Sequence, residues 1–339
     1  MAPTSSAKRT MHIPHLLWCW PWNHSMNPHY DIGRAESTAW VRSFKADAPD
    51  SIDTSLLLAL GLPRADKDTF RMGCDLLILM LYFDDIIEVD LIDEHEARLL
   101  ADIIVDGLQN PDKARPVGEW IGGEMARQIG ERVIRLFNPT SRIRFINAFE
   151  AYCDAAVQEA ADQTVERIHN IQSYMEIRRG TIATRVLFSL LEVGMDLPED
   201  VWSRKEIETL RCTAIDLIII GNDIYSYNKE QAHGETHNLV VVAMNELKMN
   251  LDETVSWMSD LNNKLVREFL TTYNVLRRSE LYTQVGWYVE GLGNWVRGID
   301  AFSFKSERYF GTRESELEKG GIIELLPEGS TRMTCPSIR

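Results

Sequence analysis

An all-α fold is predicted by three features of the sequence. Apolar residues recur with a 3.6-residue period along most of the chain, and no stretch alternates convincingly in the manner of a strand. Gly61-Leu62-Pro63, Pro111 and Asn138-Pro139 punctuate the periodic segments. About ten to twelve helices are expected, more than a four-helix bundle can hold. They are expected to form a single domain, a barrel or bundle around an apolar cavity. A chain of 339 residues with 45% hydrophobic content can bury a core of that size.

The order of elements follows from the same pattern. Residues 1–26, rich in Pro, Ser, His and Trp, read as an irregular arm, residues 27–312 as the helical domain, and residues 313–339 as a loose tail. The first helical pattern begins near Asn27-Pro28, with Trp40, Val41 and Phe44 on one face, and Leu56-Leu57-Leu58 follows. Residues 66–88 form one long helix whose second half, from Leu76 to Phe83, is apolar almost all round and so has to be surrounded by others. Further helices are expected over roughly 93–109, 115–136, 140–166, 171–195, 199–209, 211–231, 236–248, 251–277 and 279–297.

Charge and cysteine usage exclude several function classes. A net charge of −15 disfavours nucleic acid and anionic membrane as partners, since both require a basic surface. Five scattered cysteines without metal-type spacing read as reduced thiols of a cytoplasmic protein. No run of about 18 apolar residues is present, so no membrane span is expected. Pro14, His15 and Pro21 interrupt the partly apolar stretch 12–22, which makes a poor signal peptide.

Two places carry chemistry. The apolar run Ile218-Ile219-Ile220 passes into Gly221-Asn222-Asp223-Ile224-Tyr225-Ser226-Tyr227-Asn228-Lys229-Glu230. On a helix Asn222, Ser226 and Glu230 stand at i, i+4 and i+8, one turn apart on one face. An amide oxygen, a hydroxyl and a carboxylate suit a hard divalent cation such as Mg2+. One carboxylate leaves that cation with positive charge to spare for a phosphate, and Lys229 adds a second cation for the same anion.

The second place is the end of the long buried helix, Phe83-Asp84-Asp85-Ile86-Ile87-Glu88, where Asp84 and Glu88 share a face. Carboxylates at a helix C-terminus oppose the macrodipole, at about 0.3–1 kcal/mol each, and ask for a compensating metal. Basic groups point the same way. Arg178-Arg179 is expected to interrupt the helix that begins near Ser173, and Arg308-Tyr309 lies downstream; arginine forks and tyrosine hydroxyls bind phosphate well. Arg179 and Arg185 read better as surface ion pairs.

These residues together resemble the class I terpene synthases, most closely the basidiomycete sesquiterpene synthases. Asp84 to Glu88 is similar to the family's aspartate-rich motif, Asn222/Ser226/Glu230 to its NSE triad, and Arg308-Tyr309 to its RY pair. Arg178, 44 residues before Asn222 (222 − 178), matches the position of the diphosphate-sensing arginine. The resemblance spans roughly residues 27–311 and implies the following expectations. The fold is that of a class I terpenoid synthase. Three Mg2+ ions are held by Asp84, Glu88, Asn222, Ser226 and Glu230; diphosphate is bound by Arg178, Lys229, Arg308 and Tyr309. The catalytic set is Asp84, Arg178, Asn222, Ser226 and Glu230. The reaction is ionisation and cyclisation of farnesyl diphosphate, a small-molecule prenyl diphosphate, by a monomer or homodimer.

Phe83, Phe302, Trp287 and Trp295 are candidates for lining the cavity, where an aromatic face stabilises a migrating cation by roughly 2 kcal/mol when desolvated. No side chain stands out as the final base, and released diphosphate is a candidate for that role. A chain-elongating prenyl synthase shares fold and metals, but would carry a second aspartate-rich motif in place of Asn222/Ser226/Glu230. An inactive helical protein retaining a prenyl-diphosphate pocket is the alternative outside enzymology. HExxH, CxxC and a glycine-rich loop after a strand are all missing.

Overall fold

The structure is a computed structural model and describes residues 9–46, 53–89, 92–164, 169–306, 309–310 and 317–329, with side chains up to Ile87 and Asp162 in the second and third of these segments. In chain order the elements are β1 (Thr10–Ile13), α1 (Tyr30–Ser43), α2 (Thr54–Gly61), α3 (Lys67–Val89), α4 (Glu94–Gln109), α5 (Gly122–Leu136), α6 (Pro139–Thr164), α7 (Ile171–Thr181), α8 (Thr184–Ser189), a 3-10 turn (Leu190–Glu192), α9 (Glu199–Trp202), α10 (Lys205–His233), α11 (Leu239–Leu247), α12 (Leu251–Leu276), α13 (Tyr282–Lys305) and β2 (Gly321–Glu324).

Among the described residues there are thirteen α-helices, one more than the expected upper figure. The surplus arises where one helix was expected over 171–195. There α7 runs through Arg178 and Arg179 to Thr181, and the break comes later, at Ala183, whose backbone is left-handed (φ 60°). The arginines therefore end the helix rather than interrupt it. The break expected near 210 is also displaced. Nothing at Leu210 stops a helix, and α10 runs unbroken from Lys205 through the whole 218–230 motif. Gly234 closes it with a positive φ of 77°, a conformation that costs a glycine little.

The two helices that carry the motifs are core helices. Leu76, Ile78, Leu79, Met80 and Phe83 of α3 are buried, as are Ile215, Ile218, Ile219 and Ile220 of α10. Each such side chain contributes about 1.5–3 kcal/mol relative to exposure, which anchors the polar ends of both helices against well-packed stems. At Gly298, α13 approaches the end of α2 so closely that a Cβ would lie 2.5 Å from the Leu60 carbonyl oxygen. Among the described residues no helix is long and apolar enough to cross a membrane. Cys19, Cys74, Cys153 and Cys212 are free thiols.

Both chain ends differ in character from expectation. Two strands exist among the described residues, and β1 pairs antiparallel with β2, Thr10 opposite Glu324 and Ile13 opposite Gly321. Gly321–Glu324, inside the stretch expected to be loose, thus belongs to an ordered ribbon. Four-residue strands offer too few positions to establish an alternation, and their partners lie at opposite ends of the chain. The rest of the arm is irregular but tied down. Trp20 Nε1 donates to the Gly293 carbonyl (3.0 Å) and Trp22 Nε1 to Glu290 (2.8 Å). The Arg297 guanidinium spans the carbonyls of Leu17, Trp20 and Trp22.

Candidate active site

The polar half of α10 presents the expected ladder. Ser226 is buried, and Asn222 and Glu230 are half-buried one turn to either side of it. Between them Asp223, 1% exposed, is a carboxylate taken fully out of water. A buried charge survives only if hydrogen-bonded and paired. Asp223 accepts from the Tyr174 hydroxyl (2.6 Å) and from the Leu239 backbone N–H (2.9 Å), and lies 3.5 Å from Arg178 Nε. The carboxylate thereby joins α7, α10 and the N-terminus of α11.

Arg178 reaches the ladder itself, because Tyr174 and Arg178 are one turn apart on the face that α7 turns to α10. Arg178 Nη2 donates to Asn222 Oδ1 at 2.8 Å, and Asn222 Nδ2 donates to the Tyr309 hydroxyl at 3.3 Å. Three residues that the sequence assigns to metal or diphosphate are therefore linked through Asn222. Burial alone would lower the Arg178 pKa; the neighbouring Tyr174, Asp223, Glu159 and Glu230 outweigh it and keep the guanidinium charged. Arg179 makes a two-pronged pair with Asp216 (2.7 and 2.9 Å), the ion pair expected of it. Lys229 is half-buried, two turns beyond Asn222.

Ser226 and Glu230 share a partner that the motif does not contain. Asn238, fully buried, donates to Glu230 Oε2 (2.8 Å), to the Asp223 carbonyl (2.8 Å) and, at 3.4 Å, to Ser226 Oγ. Its own Oδ1 accepts from Val240 N–H (2.7 Å), so it also caps α11. Burial, and then the negative Asp223 nearby, push the Glu230 carboxyl up to about 7 despite the donors that Asn238 and Ser226 supply.

The other acidic cluster faces α6. Asp84 and Asp85 are half-buried at the end of α3, and the Tyr152 hydroxyl donates to Asp84 Oδ1 at 2.5 Å. The side chain of Glu88 lies outside the described residues. Two turns along α6, about 10 Å on at 1.5 Å per residue, Glu159 lies 3.3 Å from His237 Nε2 and close enough to Arg178 to feel its charge. Burial raises the Glu159 pKa; burial and then Arg178 push His237 down to about 4. One face of α6 thus runs from the Asp84 cluster to the Arg178 cluster.

The aromatic candidates fall into different settings. Phe83 is fully buried, edge-on to Tyr152 at 6.1 Å. Phe302 is buried against Leu60 and Ala301. Trp295 is fully buried, packed against Gly61 and 6.3 Å from Phe188. Trp287 is 44% exposed with the Arg64 guanidinium 4.8 Å from its ring, beside a pocket of about 160 Å³ that also takes in Asp66 and Thr69 at the start of α3. That is the end of α3 remote from Asp84, roughly 22 Å away for fifteen residues. Arg308 lies outside the described residues.

Tyr152, Tyr174, Asp223, Glu159, His237 and Asn238 are the residues that motif reasoning missed. Only Asp223 had a signal in the sequence, as an acid among the isoleucines and tyrosines of a buried helix. The donor set fits a hard divalent cation. Asn222, Ser226 and Glu230 offer only oxygen from amide, hydroxyl and carboxylate, and the single guanidinium of Arg178 is shared among Asp223, Glu159 and Glu230. Among the described residues, carboxylates that share one guanidinium in this way can accept a further cation.

Comparison with known proteins agrees with this chemistry. The family model described as terpene synthase family 2, C-terminal metal binding, matches residues 75–268. The chain is 39% identical over 347 residues to a Delta(6)-protoilludene synthase of Stereum hirsutum, covering 99% of this chain and 93% of the relative. It is 37% identical over 335 residues to the Delta(6)-protoilludene synthase of Armillaria gallica, covering 96% of each. In fold it is similar to the linalool/nerolidol synthase of Streptomyces clavuligerus, crystallised with 2-fluorogeranyl diphosphate, at a TM-score of 0.74 and 22% identity over 86% of this chain and 99% of that one.

Proposed function

The chain belongs to terpene synthase family 2 and is a divalent-metal-dependent sesquiterpene cyclase, and from that premise we propose that it uses Mg2+ to ionise farnesyl diphosphate and cyclises the cation to Delta(6)-protoilludene. The observation that carries the reading is the meeting of Arg178, Asn222 and Tyr309 on the ladder that continues through Ser226 to Glu230. In this reading Asp84 on one side and Asn222, Ser226 and Glu230 on the other would hold three ions. When bound they supply Lewis-acid stabilisation of the departing diphosphate.

The protein's own groups do the rest. Breaking an allylic C–O bond needs donors aimed at the leaving oxygens, which a buried arginine with fixed neighbours provides without reorganising. Arg178 and Tyr309 start on the Asn222 side chain. Asn222 Oδ1 has a second lone pair beside the 2.8 Å bond from Arg178, so it can ligate a cation while Arg178 keeps that bond and offers its other N–H groups to diphosphate. Asn222 then connects the metal site to the group that recognises the substrate. Lys229 adds charge to the same anion. After ionisation the cation has to be kept from water, and the buried Phe83 and Phe302 offer apolar, polarisable walls for it.

Purified protein incubated with farnesyl diphosphate, with and without Mg2+, tests this by gas chromatography–mass spectrometry. A tricyclic C15 hydrocarbon that requires the metal and appears without isopentenyl diphosphate is expected. A different cyclic C15 product would overturn the product assignment alone. A longer prenyl diphosphate that needs isopentenyl diphosphate would overturn the reading.

A further inference from the structure

Asn238 stands outside the metal ladder yet holds two of its three members. The chain leaves α10 at Gly234 and folds back, so that residues 238 and 239 lie against the face that carries positions 223, 226 and 230. That return is tied at several points. Glu235 N–H donates to the Glu230 carbonyl (3.0 Å), Leu239 N–H to the Asp223 carboxylate (2.9 Å), and the Asn238 amide to Glu230 Oε2 and the Asp223 carbonyl (both 2.8 Å). The Asn238 amide has no torsional freedom left, because its oxygen is held by Val240 N–H.

We infer that Asn238 is a positioning residue for the metal face, one that fixes the Glu230 carboxylate and the Ser226 hydroxyl in the rotamers from which they ligate. The inference rests on the reading of α10 as the metal helix. The chemistry is specific to an amide. The side chain must accept at the α11 cap and donate to a carboxylate at once, and Asn does both from one carbon. Asn238 holds Glu230 Oε2, and Ser226 supplies a second donor to the same carboxylate. A long carboxylate side chain would otherwise sample several rotamers, and partners that orient a ligand in this way are typically worth about 10–100-fold in metal affinity.

The variant Asn238→Asp separates this from a purely structural role. It keeps the acceptor for Val240 N–H and replaces the donor facing Glu230 by a second acceptor. Asn250→Ala is the control, since Asn250 caps α12 with the same kind of bond to Glu253 N–H and lies apart from the ladder. Two quantities are read: the metal-free melting temperature, and the Mg2+ concentration that half-saturates binding of inorganic diphosphate by calorimetry. The expected result for Asn238→Asp is a rise in that concentration of on the order of 10–100-fold. Asn250→Ala is expected to lower the melting temperature and leave the Mg2+ requirement unchanged.

An unchanged Mg2+ requirement in Asn238→Asp would overturn the inference while leaving the metal site intact. So would a rise matched by Asn250→Ala at equal loss of stability. Should Asn238→Asp fail to fold, Asn238→Ser keeps a capping oxygen, is too short to reach Glu230, and is expected to show the same rise. If the parent protein binds diphosphate with no dependence on Mg2+, or Glu230→Gln binds as well as the parent, the metal helix itself is misassigned and both readings fall.

Discussion

The two acidic ends, that of α3 and that of α10, share a design and differ in how complete they are. Both put oxygen ligands at the end of an apolar stem. On α10 the neighbours of the ladder are buried: Asp223 and Asn238 are out of water and locked to α7 and α11 by tyrosine, arginine and backbone donors. On α3 the acids are half-buried, at the unfavourable end of the helix dipole. The α10 side is locked by buried partners, whereas the α3 side is a half-buried helix end with the Tyr152 hydroxyl on Asp84. In the proposed reading these would be a fixed wall and a responsive wall for an incoming anion and its metals.

The sharpest test of the fixed wall is Asn222→Ala. It removes a candidate ligand and the acceptor of Arg178 together, so product formation is expected to fall by on the order of 10²–10³-fold or more, read as hydrocarbon per enzyme by gas chromatography. Circular dichroism should show the helix content retained; a variant that still turns over at parental rate would break the comparison from the α10 side.

Two tyrosines probe the difference directly. Tyr174→Phe takes a donor from fully buried Asp223 and is expected to cost about 1–3 kcal/mol of metal-free stability. Tyr152→Phe takes a donor from half-buried Asp84, which water can replace, and is expected to leave metal-free stability nearly unchanged while weakening Mg2+-dependent diphosphate binding. Denaturant titrations of both variants decide the point, and equal stability losses would erase the distinction.

His237, its ring tilted against Tyr174 at 4.9 Å, gives the fixed wall a pH limit. Burial holds its pKa near 4 in the folded protein, below the ordinary value of 6.5. The folded state therefore binds fewer protons than the unfolded one between those values, and the contribution to stability present above pH 6.5 is lost as pH falls towards 4. The melting temperature of the parent relative to His237→Gln should decline across that window, a difference measurement because Glu230, Glu192 and Asp300, raised by burial, act in the opposite direction in both proteins. The smallest effect belongs to the responsive wall: Asp84→Asn relieves a charge at the α3 C-terminus and should raise metal-free stability by about 0.3–1 kcal/mol, while lowering activity. Thermal melting without metal checks the sign.

How much of this could be read beforehand depended on distance along the chain. The ladder at 222, 226 and 230 is local, so helical periodicity alone lined it up. The long buried helix ending in Asp84 was legible for the same reason. Tyr152 and Tyr174 were not, because a tyrosine in an amphipathic helix looks like core until its hydroxyl is seen to meet an acid 68 or 49 residues away. Asn238 reads in the sequence as an ordinary start of a helix; only the return of the chain after Gly234 gives its amide a second partner. Trp287 illustrates the reverse case. It is four residues from Gly291 on a helix with buried faces, yet its own angle turns it outward, and an angle of that kind is poorly determined where a helix is apolar on more than one side.

The β1–β2 ribbon has a consequence for how the molecule comes into being. Asn228 Oδ1, between two ladder residues, accepts from Leu326 N–H at 2.7 Å, and Gly329 N–H reaches back to the Ala232 carbonyl. The strand that Leu326 follows pairs with a segment about three hundred residues earlier in the sequence, Thr10–Ile13 against Gly321–Glu324. Closure of the ribbon is a non-local pairing of the slow kind, and this part of the support behind Asn228 and Ala232 forms only once two segments far apart in the chain have met.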